Sequence, residues 1–399
     1  MIVQNQPQVH LTYCQNVHPG ETWAENFTAI REKTTAVQQR VSPGEWFGLG
    51  LRIGAQAAEE LARPEAQGDM LDFCAEQKLY PFTINGFPYG RFHQTSVKER
   101  VYSPDWRTPE RLDYTLQLID ILASMLPESI EGSISTVPCS FKPWIETEED
   151  VRMMAENLGA CVAYLAALRE DTGKTIHVGL EPEPDCFLET TPETIAFFND
   201  CLLTLGATEV GRILKCNRRT GEEFLRRHLG ICFDTCHVAL QFEDPLESLR
   251  TYEREGIRIS KIQLSAALQC DASPAALDAL KGYQDEIYLH QVKARTRGGG
   301  RVAWYDLPDA LAEVGQFPDL EELRVHFHVP LFFTGDGPLQ STVGSLSPEF
   351  FHYLRSGISP HLEIETYTFD VLPAAIHPGD VVRSIAREYS WAMNKLAGL

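Results

Sequence analysis

The stretch Gly230–Leu240, GICFDTCHVAL, decides how the rest of the chain is read. An apolar run of Ile231, Cys232 and Phe233 breaks off at an acid, Asp234, and His237 follows three residues later. Burying a carboxylate is costly unless something pairs with it. The run therefore reads as a buried strand whose carboxyl end carries chemistry.

The pattern repeats along the chain. Strand-like runs occupy 9–15 (VHLTYCQ), 47–53 (FGLGLRI), 80–86 (YPFTING), 131–137 (EGSISTV) and 176–182 (IHVGLEP). After 230–236 come 259–265 (ISKIQLS), 323–329 (LRVHFHV) and 361–368 (HLEIETYT). Between them lie stretches of helical periodicity, among them TPERLDYTLQLIDILASML and EEDVRMMAENLGACVAYLAALRE. In TPET, Thr191–Thr194, a proline takes the first helical position after a threonine cap. Strand and helix alternating this often predict an α/β fold, a parallel sheet closed into a (β/α)8 TIM barrel. Nine candidate strands compete for eight places, so one is an extra element. The interval from Ala266 to Leu323 reads as an insertion before the last strands, over about residues 266–322 of a single domain spanning 1–399. Its TRGGGR turn has no strand-to-helix context and reads as a loop, not a phosphate cradle.

With 35 basic and 56 acidic residues the formal net charge is −21, which opposes phosphate backbones and argues against nucleic acid as a partner. The basic clusters, Lys215–His228 and Val292–Arg301, read as a solvated helix end and a loop. No run reaches the length of a membrane span. The first fifteen residues lack the basic and apolar regions of a signal peptide, so a cytoplasmic location is expected. The ten cysteines form no CxxC pair and read as apolar filling.

In a barrel of this kind function collects at the carboxyl ends of strands. Glu181 and Glu183 end IHVGLEPEP, and Pro182 stops the chain from running on into helix. Glu181 reads as a site residue, with an ion pair to a neighbouring base as the alternative. Asp234 and His237 sit at a comparable level. His326 and His328 share one face of their strand, as do Glu363 and Glu365. His10, His177, His228 and His352 read as hydrogen-bonded core residues. Carboxylates and imidazoles gathered at one mouth are what a divalent metal (Mn, Co, Zn or Mg) takes as ligands. Such a cation polarises a carbonyl or hydroxyl while a neighbouring carboxylate moves a proton.

The order LEPEP, FDTCH and then a late E-x-E-T-Y resembles the xylose isomerase-like TIM barrels, which include sugar isomerases, ketose epimerases and endonuclease IV-type repair enzymes. The resemblance implies Glu181, Asp234 and Glu365 as metal ligands with His237 beside them, and in an isomerase Glu181 and Glu365 are expected to be catalytic as well, moving a proton between adjacent carbons. In ISKIQLSA, Gln263 stands where epimerases place an imidazole, so His328 becomes the replacement ligand. The histidines that the nucleases carry near their second and third strands are missing from GLGLRIG and FTINGFPYG.

Further phrases, HLTYCQNVHPGETW, NGFPYGRFH, STVPCSFKPW, RVHFHVPLF and HLEIETYTF, resemble the EboE family of metabolite traffic proteins of bacterial Ebo clusters. That resemblance implies a secondary-metabolite precursor as the small-molecule partner. Asn85, Arg91, His93, Lys142 and Trp144 fall in loops after the third and fourth strands, where substrate contacts or loop packing are both open readings. His18 is either a site residue or part of a helix start. Glu183, Gln263 and His326 complete the expected substrate contacts. The leading expectation is a metal-dependent isomerase or epimerase of a sugar-like small molecule. The alternative is a barrel that binds or delivers a metabolite without turnover, and a nuclease is third.

Overall fold

A computed structural model describes residues 1–87, 98–284, 289–372 and 379–398. Its larger sheet has nine strands: β1 (Ile2–Asn5), β2 (Gln8–Tyr13), β3 (Phe47–Arg52), β4 (Leu79–Asn85), β5 (Gly132–Thr136), β6 (Ile176–Leu180), β7 (Leu229–Asp234), β8 (Arg258–Leu264) and, last in the chain, β15 (His361–Ile364). From β2 to β15 they pair in parallel around a barrel, while β1 folds back antiparallel on β2. Strands β3 to β7 are buried at every position, as expected for parallel strands covered on both faces.

The barrel closes between β2 and β3 by a single parallel bridge, Cys14 to Gly50. A Cβ at Gly50 would lie 2.7 Å from the Tyr13 carbonyl oxygen and collide with the Glu363 carboxylate. Glycine is what lets the two strands meet there. The barrel axis is unusually polar. Lys261 on β8 and Glu363 on β15 form a fully buried ion pair at 2.6 Å, where branched aliphatic side chains usually fill the interior.

The extra one of the nine predicted strands, 323–329, lies outside the barrel. It is β12 (Leu320–His328), in a six-stranded antiparallel sheet with β9 (Ala267–Asp271), β10 (Val292–Thr296), β11 (Arg301–Trp304), β13 (Gly335–Asp336) and β14 (Leu339–Ser341). Strand β9 continues almost directly from the carboxyl end of β8, so this sheet grows out of the barrel mouth. The VKARTRGGGR segment, expected as a loop, forms the β10–β11 hairpin, whose Lys293 holds Asp185 and Glu189 of the loop after β6.

Helices cover the barrel, and their caps show why they start where they do. Thr147 and Asp150 form a capping box before the helix Glu148–Thr172, and Gly173, at φ 76°, ends it. That helix is long and apolar enough to cross a membrane, a feature the sequence expectation of no span does not register. Its buried face, with Met154, Leu158, Val162 and Leu165, packs against the helices Pro109–Met125 and Ala207–Leu214. In the TPET segment the cap is Thr190, one residue earlier than expected, because its hydroxyl reaches the Glu193 amide. His352 is exposed rather than part of the core.

Candidate metal centre

Asp234 ends β7 and caps the short helix Thr235–Leu240. Its Oδ1 accepts from the amides of Cys236 (2.7 Å) and His237 (3.1 Å) and from Ser265 Oγ (2.7 Å). Oδ2 is left for the mouth. Glu365 follows β15 in the same manner: Asn16 Nδ2 donates to its Oε1 at 2.8 Å, while Oε2 is left over. His328, at the end of β12, donates from Nδ1 to the Glu365 carbonyl at 2.9 Å, which turns the Nε2 lone pair inward. Glu181, directly after β6, is anchored through its amide on the Thr136 carbonyl.

The four remaining atoms, Glu181 Oε2, Asp234 Oδ2, His328 Nε2 and Glu365 Oε2, are buried without a hydrogen-bond partner. Ligand atoms of Glu181, Asp234 and Glu365 lie within 4.8 Å of one another, and so do those of Asp234, His237 and His328. Buried polar atoms are ordinarily satisfied. Oxygen and nitrogen ligands, three of them (Asp234, His328 and Glu365) oriented through their other side-chain atom, suit a divalent cation.

The electrostatics agree with that fit. Burial, then Asp234, pushes the Glu181 carboxyl well above its ordinary range. Burial, then Glu181 and Asp234, does the same to Glu365. Burial also acts upward on Asp234, but the His237 and His328 imidazoles and its hydrogen bonds outweigh it, and Asp234 titrates below its usual value. Acids this close resist ionising together, and a dication among them offsets both repulsion and desolvation.

A second layer of imidazoles adjoins the acids. His237 donates from Nδ1 to the Pro182 carbonyl at 3.0 Å, and His326 donates from Nδ1 to Gln291 Oε1 at 2.7 Å. The Gln291 amide is fixed by its nitrogen, which gives to the Pro184 carbonyl at 3.2 Å. The two Nε2 atoms therefore meet at 3.1 Å with lone pairs facing, a contact that is favourable only around a proton or a cation. Tyr102 donates to Glu183 Oε1 at 2.7 Å on the adjoining wall. Together these groups line a cavity of about 70 Å³ at the carboxyl-terminal mouth.

Of the residues predicted from sequence, Glu181, Glu183, His237, His326, His328 and Glu365 line this cavity, as does Asn85, whose Nδ2 is 3.5 Å from Glu365 Oε1. Asp234 stands behind them as the shared member of two ligand groups. Gln263 lies lower, its Oε1 taking the Cys232 thiol at 3.0 Å and its Nε2 facing Glu363. His18 bonds to the Tyr13 hydroxyl, Lys142 is held by Glu189 and Glu193, and Trp144 packs edge-on against Phe141, all away from the cavity. Arg91 and His93 lie outside the described residues.

The sequence reading missed Asn16, Tyr102, Ser265 and Gln291. Ser265 had a signal, since it shares the β8 face of Lys261 and Gln263 at period two. Tyr102 and Gln291 had none, being brought in by a short turn and by the second sheet. Cys236, read as filling, lies within 4.8 Å of His326 and His328.

No protein-family model matches the chain, and no curated protein matches it in sequence. Solved structures do. A xylose isomerase-like TIM-barrel protein from Mycobacterium smegmatis, in complex with magnesium, aligns over 97% of this chain and 96% of its own at 11% identity and TM-score 0.51. The IolI protein with a bound zinc atom aligns over 97% and 99% at 10% identity and TM-score 0.49. A xylose isomerase domain protein from Planctomyces limnophilus aligns over 92% and 93% at 14% identity and TM-score 0.48. The closed parallel barrel and the Mycobacterium likeness agree: the fold of this chain is a TIM barrel like that of the xylose isomerase-like protein.

Proposed function

We propose that the protein is a divalent-metal-dependent isomerase or epimerase, moving a proton between adjacent carbons of a sugar-like small molecule. The convergence of Glu181 Oε2, Asp234 Oδ2, His328 Nε2 and Glu365 Oε2 carries this reading. Those four residues hold the cation, with His237 beside them. The bound cation supplies Lewis-acid polarisation of a carbonyl or hydroxyl. Glu181 and Glu365 take and return the proton, His237 and His326 face the substrate oxygens, and Asn16 keeps Glu365 aimed at the mouth. Burial of the whole group excludes water that would compete for that proton. The magnesium of the Mycobacterium barrel accords with an oxygen-rich ligand set.

The test is solvent exchange. Metal-loaded protein incubated with pentoses and hexoses in heavy water is expected to place deuterium on the carbon next to the carbonyl. Glu181→Gln and Glu365→Gln each lower that rate by about 10²–10⁴-fold. A second reading, a metabolite-binding or traffic protein of the EboE kind, is favoured by Gln263, whose amide is committed to Cys232 and Glu363. Saturable sugar binding with no exchange selects it over the first.

A further inference from the structure

The helix Val381–Ala397 lies against the barrel with Val382, Ile385, Tyr389 and Ala392 on its buried face. The Tyr389 ring packs on Phe47 of β3 and Tyr13 of β2, at centroid distances of 5.5 and 6.3 Å, so the helix is seated on the barrel wall. Glu388 belongs to the same buried face, at 1% exposure. An apolar side chain would pack there without the cost of taking a carboxyl group out of water. What the carboxyl meets is therefore informative.

Glu388 Oε1 accepts from the Leu331 amide at 3.0 Å and from Thr366 Oγ1 at 2.7 Å. Leu331 comes three residues after His328, and Thr366 directly follows Glu365. One oxygen atom thus holds both segments that deliver these two ligands. Nearer the mouth the tie is repeated: His328 Nδ1 donates to the Glu365 carbonyl at 2.9 Å, and Thr368 Oγ1 donates to the His328 carbonyl. Strand β12 pairs with β9 and β10, and β15 with β2 and β8, so among the described residues no shared ladder fixes the two strand ends. A binding constellation must be held to about 0.5 Å by groups that are themselves locked from behind. On the basis of the proposed metal centre, we infer that Glu388 is one of its positioning residues: its carboxyl group clamps the end of β12 to the end of β15 and so sets the spacing of His328 Nε2 and Glu365 Oε2.

Calorimetric titration of the chelator-treated full chain with manganese and with zinc tests this. Glu388→Met keeps the bulk and removes the acceptor, whereas Glu388→Gln keeps an acceptor and removes the ionisable group. The clamp predicts a Kd raised about tenfold in Glu388→Met and held within about twofold in Glu388→Gln. Thr366→Val preserves shape and removes one arm, so it raises Kd at least about threefold, and it carries the test if Glu388→Met does not fold. Ile385→Ala, on the same buried face, lowers the melting temperature of the chelated protein and leaves Kd unchanged, as a purely structural residue does. An unchanged Kd in Glu388→Met or in Thr366→Val overturns the inference. So does a loss in Glu388→Gln equal to that in Glu388→Met, which assigns the effect to charge. These results leave the metal centre standing. Absence of binding by the unsubstituted chain overturns the metal centre itself, and the inference with it.

Discussion

Ser265 Oγ donates to Asp234 Oδ1 at 2.7 Å, and the oxygen it leaves over, Oδ2, is the one turned toward the other acids. Outer partners of this kind fix the direction of a ligand rather than its charge. Ser265→Ala is expected to weaken divalent-metal affinity by roughly 10–100-fold, with a loss of about 1 kcal/mol in stability. Calorimetric titration of the variant with manganese or zinc measures the first and urea unfolding the second. Unchanged metal affinity would show that Asp234 does not need this anchor.

Lys261 and Glu363 are both 0% exposed and lie 2.6 Å apart inside the barrel. Removing one partner strands a buried charge. Lys261→Met should cost about 3–5 kcal/mol, and the double variant Lys261→Met/Glu363→Gln should recover most of it. Equal losses in single and double variants, measured by urea unfolding, would contradict this account of the pair.

Glu388 lies in the helix Val381–Ala397, buried, with Oε1 accepting from Thr366 Oγ1 and the Leu331 amide. Burial pushes it up to about 7 from an ordinary 4.5. A raised acid favours its protonated form in the fold. Its contribution is fully present below about 4.5 and is lost as pH rises through about 7. Relative to Glu388→Gln, the unsubstituted chain should lose roughly 3 kcal/mol between those limits. Parallel stability curves for the two proteins in chelator would refute it.

Gly50 sits at the barrel seam, where a Cβ would press on the Tyr13 carbonyl oxygen at 2.7 Å and on the Glu363 carboxylate. Gly50→Ala is expected to cost about 1–3 kcal/mol. Gly68, inside the helix Pro64–Gln77 with nothing within 4 Å of its Cβ position, is the contrast, and Gly68→Ala should stabilise by up to ~1 kcal/mol. Melting temperatures that move the same way in both would count against the seam argument.

The barrel was legible because its strands alternate with helices and each ends in turn chemistry, as GICFDTCH does. Glu181, Asp234 and Glu365 were legible for the same reason: an acid directly after an apolar strand stands at the mouth. His328 could be named from its period-two pairing with His326, but not placed, since β12 reaches the mouth through a second sheet that local pattern does not reveal. Lys261 and Glu363 on β8 and β15 were hidden because strands far apart in sequence decide which charges meet. Gln291 and Tyr102 came in through tertiary packing alone. The loops after β4 and β5 carried equal support for substrate contact and for packing, and Lys142 and Trp144, after β5, went to the latter.

Thermal unfolding of chelator-treated protein, with and without manganese or zinc, tests the central claim most directly. A cation held by Glu181, Asp234, His328 and Glu365 stabilises only the folded chain, so the melting temperature should rise saturably with metal. The rise should be absent in Asp234→Asn. No rise in the unsubstituted protein with either metal would contradict the metal centre and, with it, the proposed chemistry.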